Sequence, residues 1–174
     1  MSDVQFDLAF SRSMGIEGLY KCEREDRGDW TSGIIGKGEL RGTKYGISAM
    51  SYPTLDIKNL TYEQAKEIYY RDWWVKLGLG NYPKALPYQL FDAAINHGWH
   101  NVAEMIQRAV GVKDDGNIGP VTMKAIQSVS EADLVLLFLA ERLEFFTNIA
   151  TWSKYGKGWA TRVAANLRYA AKDN

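Results

Sequence analysis

Glu17 is the side chain whose place in the sequence best suits acid–base chemistry. It stands at the predicted C-terminal end of a helix, where the helix dipole disfavours a negative charge, and Ile16 and Leu19 beside it are apolar. Both features favour the protonated carboxyl, which can donate a proton to a leaving oxygen. Hydrolysis of a glycosidic bond needs such a donor and usually a second carboxylate. The simpler interpretation is a surface glutamate in a last helical turn.

The elements that must position Glu17 are predicted to be mostly helices. Apolar residues at three- and four-residue spacings predict a first helix over 4–14, and Thr61 with Gln64 has the spacing of a capping box. Glycines between Gly28 and Gly46 interrupt any regular spacing of apolar residues, which predicts loops with a small hairpin. The helix that begins at this capping box is predicted to end at about Trp74. Further helices are predicted over 88–96, 102–109, 120–126 and 131 to about 150. A break at 155–158 is predicted to precede a last helix over 159–170.

Length and composition predict one compact, mainly α domain. The chain has 174 residues and 21 basic against 21 acidic side chains, so no charge excess predicts nucleic-acid binding. Cys22 is the single cysteine, so no internal disulfide is expected. The first residues lack a secretion signal, and the apolar run 134–140 is too short to span a bilayer. We therefore expect synthesis in the cytoplasm and no stable membrane insertion.

Several segments carry motifs in a recognisable order: Glu17-Gly18-Leu19-Tyr20, Gly42 to Ser48, Phe91 to Gly98, Asp115 to Thr122, and Lys157 to Val163. This pattern resembles glycoside hydrolase family 108, which comprises phage endolysins and secretion-activator muramidases with a lysozyme-like fold. The resemblance implies that Glu17 is the catalytic acid. It also implies a lysozyme-like helical domain with a small hairpin insertion near the N-terminus. Within it, a muramidase part (1–86) would pack against a helical peptidoglycan-binding-like part (87–174).

The second carboxylate is left open among Asp26, Asp29 and Glu39. The segment after Tyr20 departs from the family, because Leu19 replaces a glycine and the loop to Thr43 is longer. Lysozyme-like folds place an acid and then a threonine on such a β-rich segment, which favours Asp29 or Glu39. By the same resemblance Thr43 would position the attacking water, although a hydroxyl that satisfies a turn is the simpler alternative.

Substrate-binding candidates come from the aromatic residues of these segments and from one helix. Tyr20 and Tyr45 belong to the first two motifs. On the predicted second helix, Tyr69 and Trp73 continue the apolar stripe and are assigned to the core, which leaves two aromatic residues for a saccharide groove, Tyr70 and Trp74.

Asp92 and Asn96 lie four residues apart, on one face of a predicted helix. They could either bind substrate amides or hold a loop. His97 and His100 have a spacing that metal ligands can have, but no third ligand accompanies them, and no metal is expected.

The activity that the resemblance implies is hydrolysis of the β-1,4 bond between N-acetylmuramic acid and N-acetylglucosamine. The enzyme would be a monomeric phage endolysin without a cofactor, acting on peptidoglycan glycan strands after a holin-type protein opens the membrane. Two alternatives stay open. A lytic transglycosylase would use the same glutamate, and a non-catalytic cell-wall binding or secretion-helper protein would not need it.

Overall fold

The computed structural model describes residues 3–14 and 19–173. Within them the chain is mainly α-helical with one two-stranded sheet, which confirms the predicted fold class. Two compact units are present, Met1–Lys76 and Leu77–Asn174. This division falls ten residues before the expected one, because the 3₁₀ turn Leu79–Asn81 contacts the first helix of the second unit. That the two parts form one domain stays a prediction.

In the described part of the first unit, two α-helices flank a loop-rich segment. Helix α1 spans Val4–Met14 and α2 spans Tyr62–Tyr69; a π-helical turn, Tyr70–Val75, continues α2. The capping box is confirmed, since the Thr61 side chain accepts from the Gln64 N–H and the Gln64 side chain accepts from the Thr61 N–H. α1 buries Phe6 and Phe10, as its periodicity predicts.

A short hairpin stands in the loop-rich segment. Strands β1 (Thr43–Lys44) and β2 (Ile47–Ser48) are antiparallel, with Thr43 opposite Ser48. Tyr45 and Gly46 form the connecting turn with φ of 52° and 75°, the left-handed values that a two-residue primed turn requires. The Tyr69 hydroxyl donates to the Tyr45 carbonyl oxygen at 3.1 Å, which anchors the turn to α2.

The π-helical turn overturns the assignment of the four aromatic residues. Tyr69 is buried as expected, but Trp74 is the second buried residue, 3% exposed, while Trp73 is half-buried. A π-helix makes i→i+5 hydrogen bonds, so the residue five positions ahead, not four, follows Tyr69 on the inner face. Trp74 also donates its indole N–H to the Asp3 carboxylate at 2.7 Å. The predicted groove position of Trp74 is therefore wrong.

The second unit is a group of five helices. They are α3 (Leu86–His97), α4 (Trp99–Ala109), α5 (Pro120–Ser128), α6 (Glu131–Thr147) and α7 (Trp152–Asp173). α6 contacts α3, α4 and α7 and buries Leu134, Phe138 and Leu139. Its opposite face exposes Leu136, Leu137 and Leu143, so the helix is buried along one side only. No helix in the described residues is both long and apolar enough to cross a membrane.

Helix α7 runs without the predicted break at residues 155–158. It begins at Trp152 and passes through Gly156 and Gly158. A Cβ at Gly156 would stand 2.6 Å from the Trp152 indole, so this glycine makes room for a tryptophan one turn earlier. The glycine serves close packing here, and the helix continues through it.

Candidate functional site

The loop-rich segment of the first unit brings Asp29 and Thr43 together. Asp29 is 2% exposed, and its Oδ1 accepts a hydrogen bond from the Thr43 hydroxyl at 2.6 Å. Its Oδ2 accepts from the Glu23 N–H, also at 2.6 Å. Both oxygens of this buried carboxylate therefore have hydrogen-bond donors as partners.

Asp29 reaches this position because backbone contacts fix the turn that carries it. Arg27–Asp29 is a 3₁₀ turn, and the Asp26 side chain caps it by accepting from the Gly28 N–H at 2.8 Å. The Asp29 carbonyl oxygen then accepts from Arg41 and Gly42 at 2.9 and 3.1 Å. Asp26 is exposed and serves as this cap.

Glu39 lies apart from the Asp29–Thr43 pair. Its side chain is 69% exposed and forms an ion pair with Arg41 at 2.6 Å. Its backbone carbonyl accepts from the Thr31 N–H, next to a bridge between Trp30 and Leu40. Of the two favoured carboxylates, the structure therefore sets Asp29, and not Glu39, against Thr43.

The chain that follows Glu17 is attached to the strand that carries Thr43. Glu17 itself lies outside the described residues. Lys21, four positions later, forms an isolated antiparallel bridge with Thr43, with N–H to O distances of 2.8 and 2.9 Å.

Tyr20 and Gly42 fit closely beside this bridge. The Tyr20 hydroxyl donates to the Arg41 carbonyl at 3.2 Å. Gly42 has φ of 79°, and a Cβ there would lie 2.7 Å from the Tyr20 ring and closer still to the Lys21 carbonyl. Only glycine fits at this position, which gives a physical reason for the glycine in the second motif.

Tyr20 also lines an open groove of about 390 Å³ on the first unit. Its other lining residues are Leu40, Arg41, Thr54, Asp56, Ile57 and Lys58. The groove combines apolar walls with charged groups, which suits a polar, ring-shaped ligand such as a sugar.

Tyr45 and Tyr70, two further substrate-binding candidates, occupy different surroundings. Tyr45 is half-buried, its ring 5.9 Å from that of Tyr62 and under the Lys44 ammonium at 5.5 Å. Tyr70 packs on Phe6 at 5.0 Å and lines a second groove, formed by α1 and α2 with four carboxylates and Lys66. The structure therefore does not bring Tyr70 into the Tyr20 groove.

Asp92 lies in the second unit and is occupied by a buried ionic network. Its carboxylate accepts from Arg142 at 2.7 Å, from Arg162 at 2.6 Å and from Asn166 at 3.0 Å. Asp92 is 1% exposed, so it is not available to bind substrate amides, and it holds α3 to α6 and α7. The expectation of substrate binding is corrected on this point, because no side of the carboxylate faces solvent.

The charges of this network govern its protonation. Burial opposes ionisation of Asp92, but the hydrogen bond from Arg162 and the charges of Arg142 and Arg162 outweigh burial and hold the pKa of Asp92 below its ordinary value. Burial and the nearby Arg142 lower the pKa of His97 to about 4. His97 is therefore neutral at pH 7, and its Nε2 accepts from Arg142 Nε at 3.2 Å.

Asn96 is exposed, and its amide donates to the Asp92 carbonyl at 2.6 Å. His100 pairs with Glu104 instead of joining His97.

The sequence patterns did not indicate Arg142 and Arg162 as partners of Asp92. Arg162 belongs to the last motif, Lys157 to Val163, which could have indicated its role. Arg142 lies in a largely apolar helix, where nothing in the sequence marks it as a partner of Asp92.

Two family models match successive regions of the chain, and their boundary near residue 100 lies beyond the division between Lys76 and Leu77. Residues 10–98 match the family model described as Glycosyl hydrolase 108, and residues 101–164 match the Predicted Peptidoglycan domain. The solved "Structure of Brucella abortus SagA" is similar, with a TM-score of 0.79 and 26% identity over 99% of this chain and 97% of that one. No curated protein matches. The matched regions identify a cell-wall hydrolase, and the chain belongs to glycosyl hydrolase family 108.

Proposed function

We propose that the protein is an N-acetylmuramidase that hydrolyses the β-1,4 bond between N-acetylmuramic acid and N-acetylglucosamine in peptidoglycan. Glu17 is the general acid that protonates the leaving oxygen. Asp29 and Thr43 prepare the water that attacks the sugar. The observation that carries the proposal is the 2.6 Å hydrogen bond from the Thr43 hydroxyl to the buried Asp29 carboxylate.

The proposed chemistry depends on which atoms of the Asp29–Thr43 pair can still form a hydrogen bond. The Thr43 hydroxyl gives its only proton to Asp29, so its oxygen can only accept a further hydrogen bond. A water that donates to this oxygen directs a lone pair away from it, toward the anomeric carbon. As the water attacks, its proton passes to the Thr43 oxygen while the Thr43 proton passes to Oδ1 of Asp29. Asp29 is buried and acts through Thr43, which makes it a positioning residue. Its negative charge also stabilises the positive character of the oxocarbenium-like transition state.

The covalent chain limits how far Glu17 can lie from this pair. Lys21 is bridged to Thr43, and Glu17 precedes Lys21 by four residues. Four extended residues span at most ~14 Å. This limit comes from chain connectivity alone. It supports a site in which Glu17 and the Asp29–Thr43 pair act on the same glycosidic bond.

Delivery to the wall belongs to the same proposal and rests on the likeness to phage endolysins. The enzyme would be a monomer made in the host cytoplasm and released to the periplasmic side by a holin-type protein. Expression without such a partner should be tolerated by the cell. Prompt lysis in its absence would contradict this route.

Mass spectrometry of peptidoglycan digested by the purified protein tests the reaction. Hydrolysis leaves reducing N-acetylmuramic acid ends. A transglycosylase would leave 1,6-anhydro ends, and a binding protein would leave the strands intact. Either of these results would contradict the proposed muramidase.

A further inference from the structure

A closed loop between Trp30 and Leu40 carries two isoleucines at its tip. Trp30 and Leu40 form an isolated antiparallel bridge. Beside it, the Thr31 N–H donates to the Glu39 carbonyl oxygen and the Glu39 N–H donates to the Thr31 hydroxyl oxygen, both at 2.9 Å. These contacts close the neck of residues 31–39, which we call the finger. It lies in the loop whose length departs from the family pattern, so the motifs of the family do not account for it.

The tip of the finger is apolar and open to solvent. Ile34 and Ile35 are 52% and 56% exposed. Met50 is 38% exposed and packs against Gly33, where an added Cβ would stand 2.8 Å from the Met50 sulfur. A Cβ added at Gly36 would meet no atom of the described residues within 4 Å. The apolar side chains at the tip therefore do not serve the core of the first unit.

The backbone at the tip is hydrogen-bonded within the finger. The Ser32 hydroxyl accepts from the Ile34 N–H at 3.2 Å and donates to the Lys37 carbonyl oxygen at 2.8 Å. The Lys37 N–H donates to the Ile34 carbonyl oxygen at 3.0 Å, and the Gly33 N–H donates to the Trp30 carbonyl oxygen at 2.8 Å. Polar groups that are already paired lose little when they leave water. The tip can therefore enter an apolar medium as a formed unit.

Two cations border the apolar tip. Lys37 is exposed and is the single charged residue at sequence positions 30–38. The Arg27 guanidinium lies 3.6 Å from the Met50 sulfur, which brings a second positive charge to the tip. Glu39, the nearest acid along the finger, belongs to its neck and is already ion-paired. The exposed residues before Arg27 carry both signs: Glu23, Arg24, Glu25 and Asp26.

We propose that the finger is a wedge that binds reversibly to the surface of an anionic phospholipid bilayer. Ile34 and Ile35 enter the boundary between the headgroups and the acyl chains, and Lys37 and Arg27 pair with the lipid phosphates. Binding of this kind is peripheral and needs no membrane-spanning segment. It does not depend on the proposed hydrolysis.

The size and shape of the tip favour a bilayer over a protein partner. A stable protein interface buries about 800 Å² on each side and requires a complementary surface. Three partly exposed side chains on a projecting loop fall well short of that area. A bilayer needs no complementary shape, and its anionic surface attracts each cation that approaches it.

Cosedimentation of the full chain with sucrose-loaded vesicles tests the wedge. The wild type should bind vesicles of phosphatidylglycerol and phosphatidylethanolamine more tightly than vesicles of phosphatidylcholine, and salt should reduce this preference. Ile34→Ser/Ile35→Ser should weaken binding to both kinds of vesicle by about tenfold, because two apolar side chains no longer leave water. Leu136→Ser/Leu137→Ser, which alters two exposed leucines of α6, is the matched control and should bind like the wild type.

Two further variants separate charge from apolar insertion. Arg27→Gln/Lys37→Gln should lose about fivefold in affinity for each charge on the anionic vesicles. Its binding to phosphatidylcholine should not change. Ile35→Trp should bind both kinds of vesicle more tightly, since tryptophan favours the membrane interface. Wild-type melting temperatures in these variants would show that the effects do not come from a loss of folding.

Wild-type vesicle binding by Ile34→Ser/Ile35→Ser would overturn the wedge, as would a wild type that binds neither kind of vesicle. A double isoleucine variant that loses turnover on soluble glycan strands but keeps vesicle binding would also overturn it, because the tip would then contact substrate. Self-association that this variant abolishes, without vesicle binding by the wild type, would assign the tip to a second copy of the chain. Vesicle binding requires no hydrolysis, so failure of the muramidase proposal leaves the wedge standing.

Discussion

The Thr43 hydroxyl donates a 2.6 Å hydrogen bond to Oδ1 of Asp29, a carboxylate that is 2% exposed. Thr43→Val removes the hydroxyl with little change in shape. Because the attacking water loses its acceptor, turnover on purified peptidoglycan should fall ~10- to 100-fold. Thr43→Ser keeps the hydroxyl and should keep most of the turnover. Equal loss in both variants would show that the methyl group, and not the hydroxyl, matters.

Asp29 and Glu39 should differ sharply when each is neutralised. Asp29→Asn replaces an oxygen that accepts from Thr43 or Glu23 with a donor, so turnover should fall by ~10²-fold or more. The free energy of unfolding should fall by about 1–3 kcal/mol from the unsatisfied buried group. Glu39→Gln disturbs one exposed ion pair and should leave turnover near that of the wild type.

Initial rates and thermal unfolding of both variants give this comparison. A larger loss of turnover in Glu39→Gln than in Asp29→Asn would assign the second carboxylate to the exposed side chain. The Asp29–Thr43 pair would then be structural only.

The buried network of the second unit should be essential for stability. Asp92→Asn leaves the fully buried Arg142 guanidinium without its counter-charge, which should lower the free energy of unfolding by about 3–5 kcal/mol. Asp114→Asn breaks an exposed pair with Arg108 and should cost less than about 1 kcal/mol. Denaturant unfolding compares the two. A similar small cost for both would contradict the structural role of Asp92.

His97 should make the protein sensitive to mild acid. Its pKa is 6.5 ordinarily and about 4 in the folded protein, so between these pH values the unfolded chain binds the proton first. Stability therefore falls as the pH drops through this window. The contribution of Asp92 is lost only at lower pH, because its folded pKa lies below its ordinary value.

His97→Gln keeps an acceptor for Arg142 and removes this titration. Its melting temperature should change less than that of the wild type between about pH 7 and pH 4. Parallel curves for the two proteins would show that another group controls the acid sensitivity.

Periodicity and capping predicted most helices, because each helix depends on local spacing and on its own ends. Thr61 caps α2 as predicted, and the Ser130 side chain caps α6. The failures came where tertiary contacts decide. The π-helical turn moved Trp74 into the core, and the Trp152 indole gives Gly156 a packing role that composition alone cannot indicate.

The candidate site was predictable in part. The resemblance indicated Thr43 and left Asp29 and Glu39 as the favoured carboxylates. Asp29 and Thr43 are fourteen positions apart, and only the folded loop brings their side chains into contact. Asp92 was misassigned because its partners, Arg142 and Arg162, are 50 and 70 positions away. Spacing within one helix cannot reveal such pairs.

Glu17→Gln tests the central claim most directly. The amide keeps the shape of the side chain and cannot deliver a proton, so the release of reducing ends from purified peptidoglycan should fall ~10²–10⁴-fold. The melting temperature should stay unchanged. Glu63→Gln, an exposed position on α2, is the matched control and should keep wild-type turnover. Wild-type turnover in Glu17→Gln would contradict the account, because the acid would then be another residue.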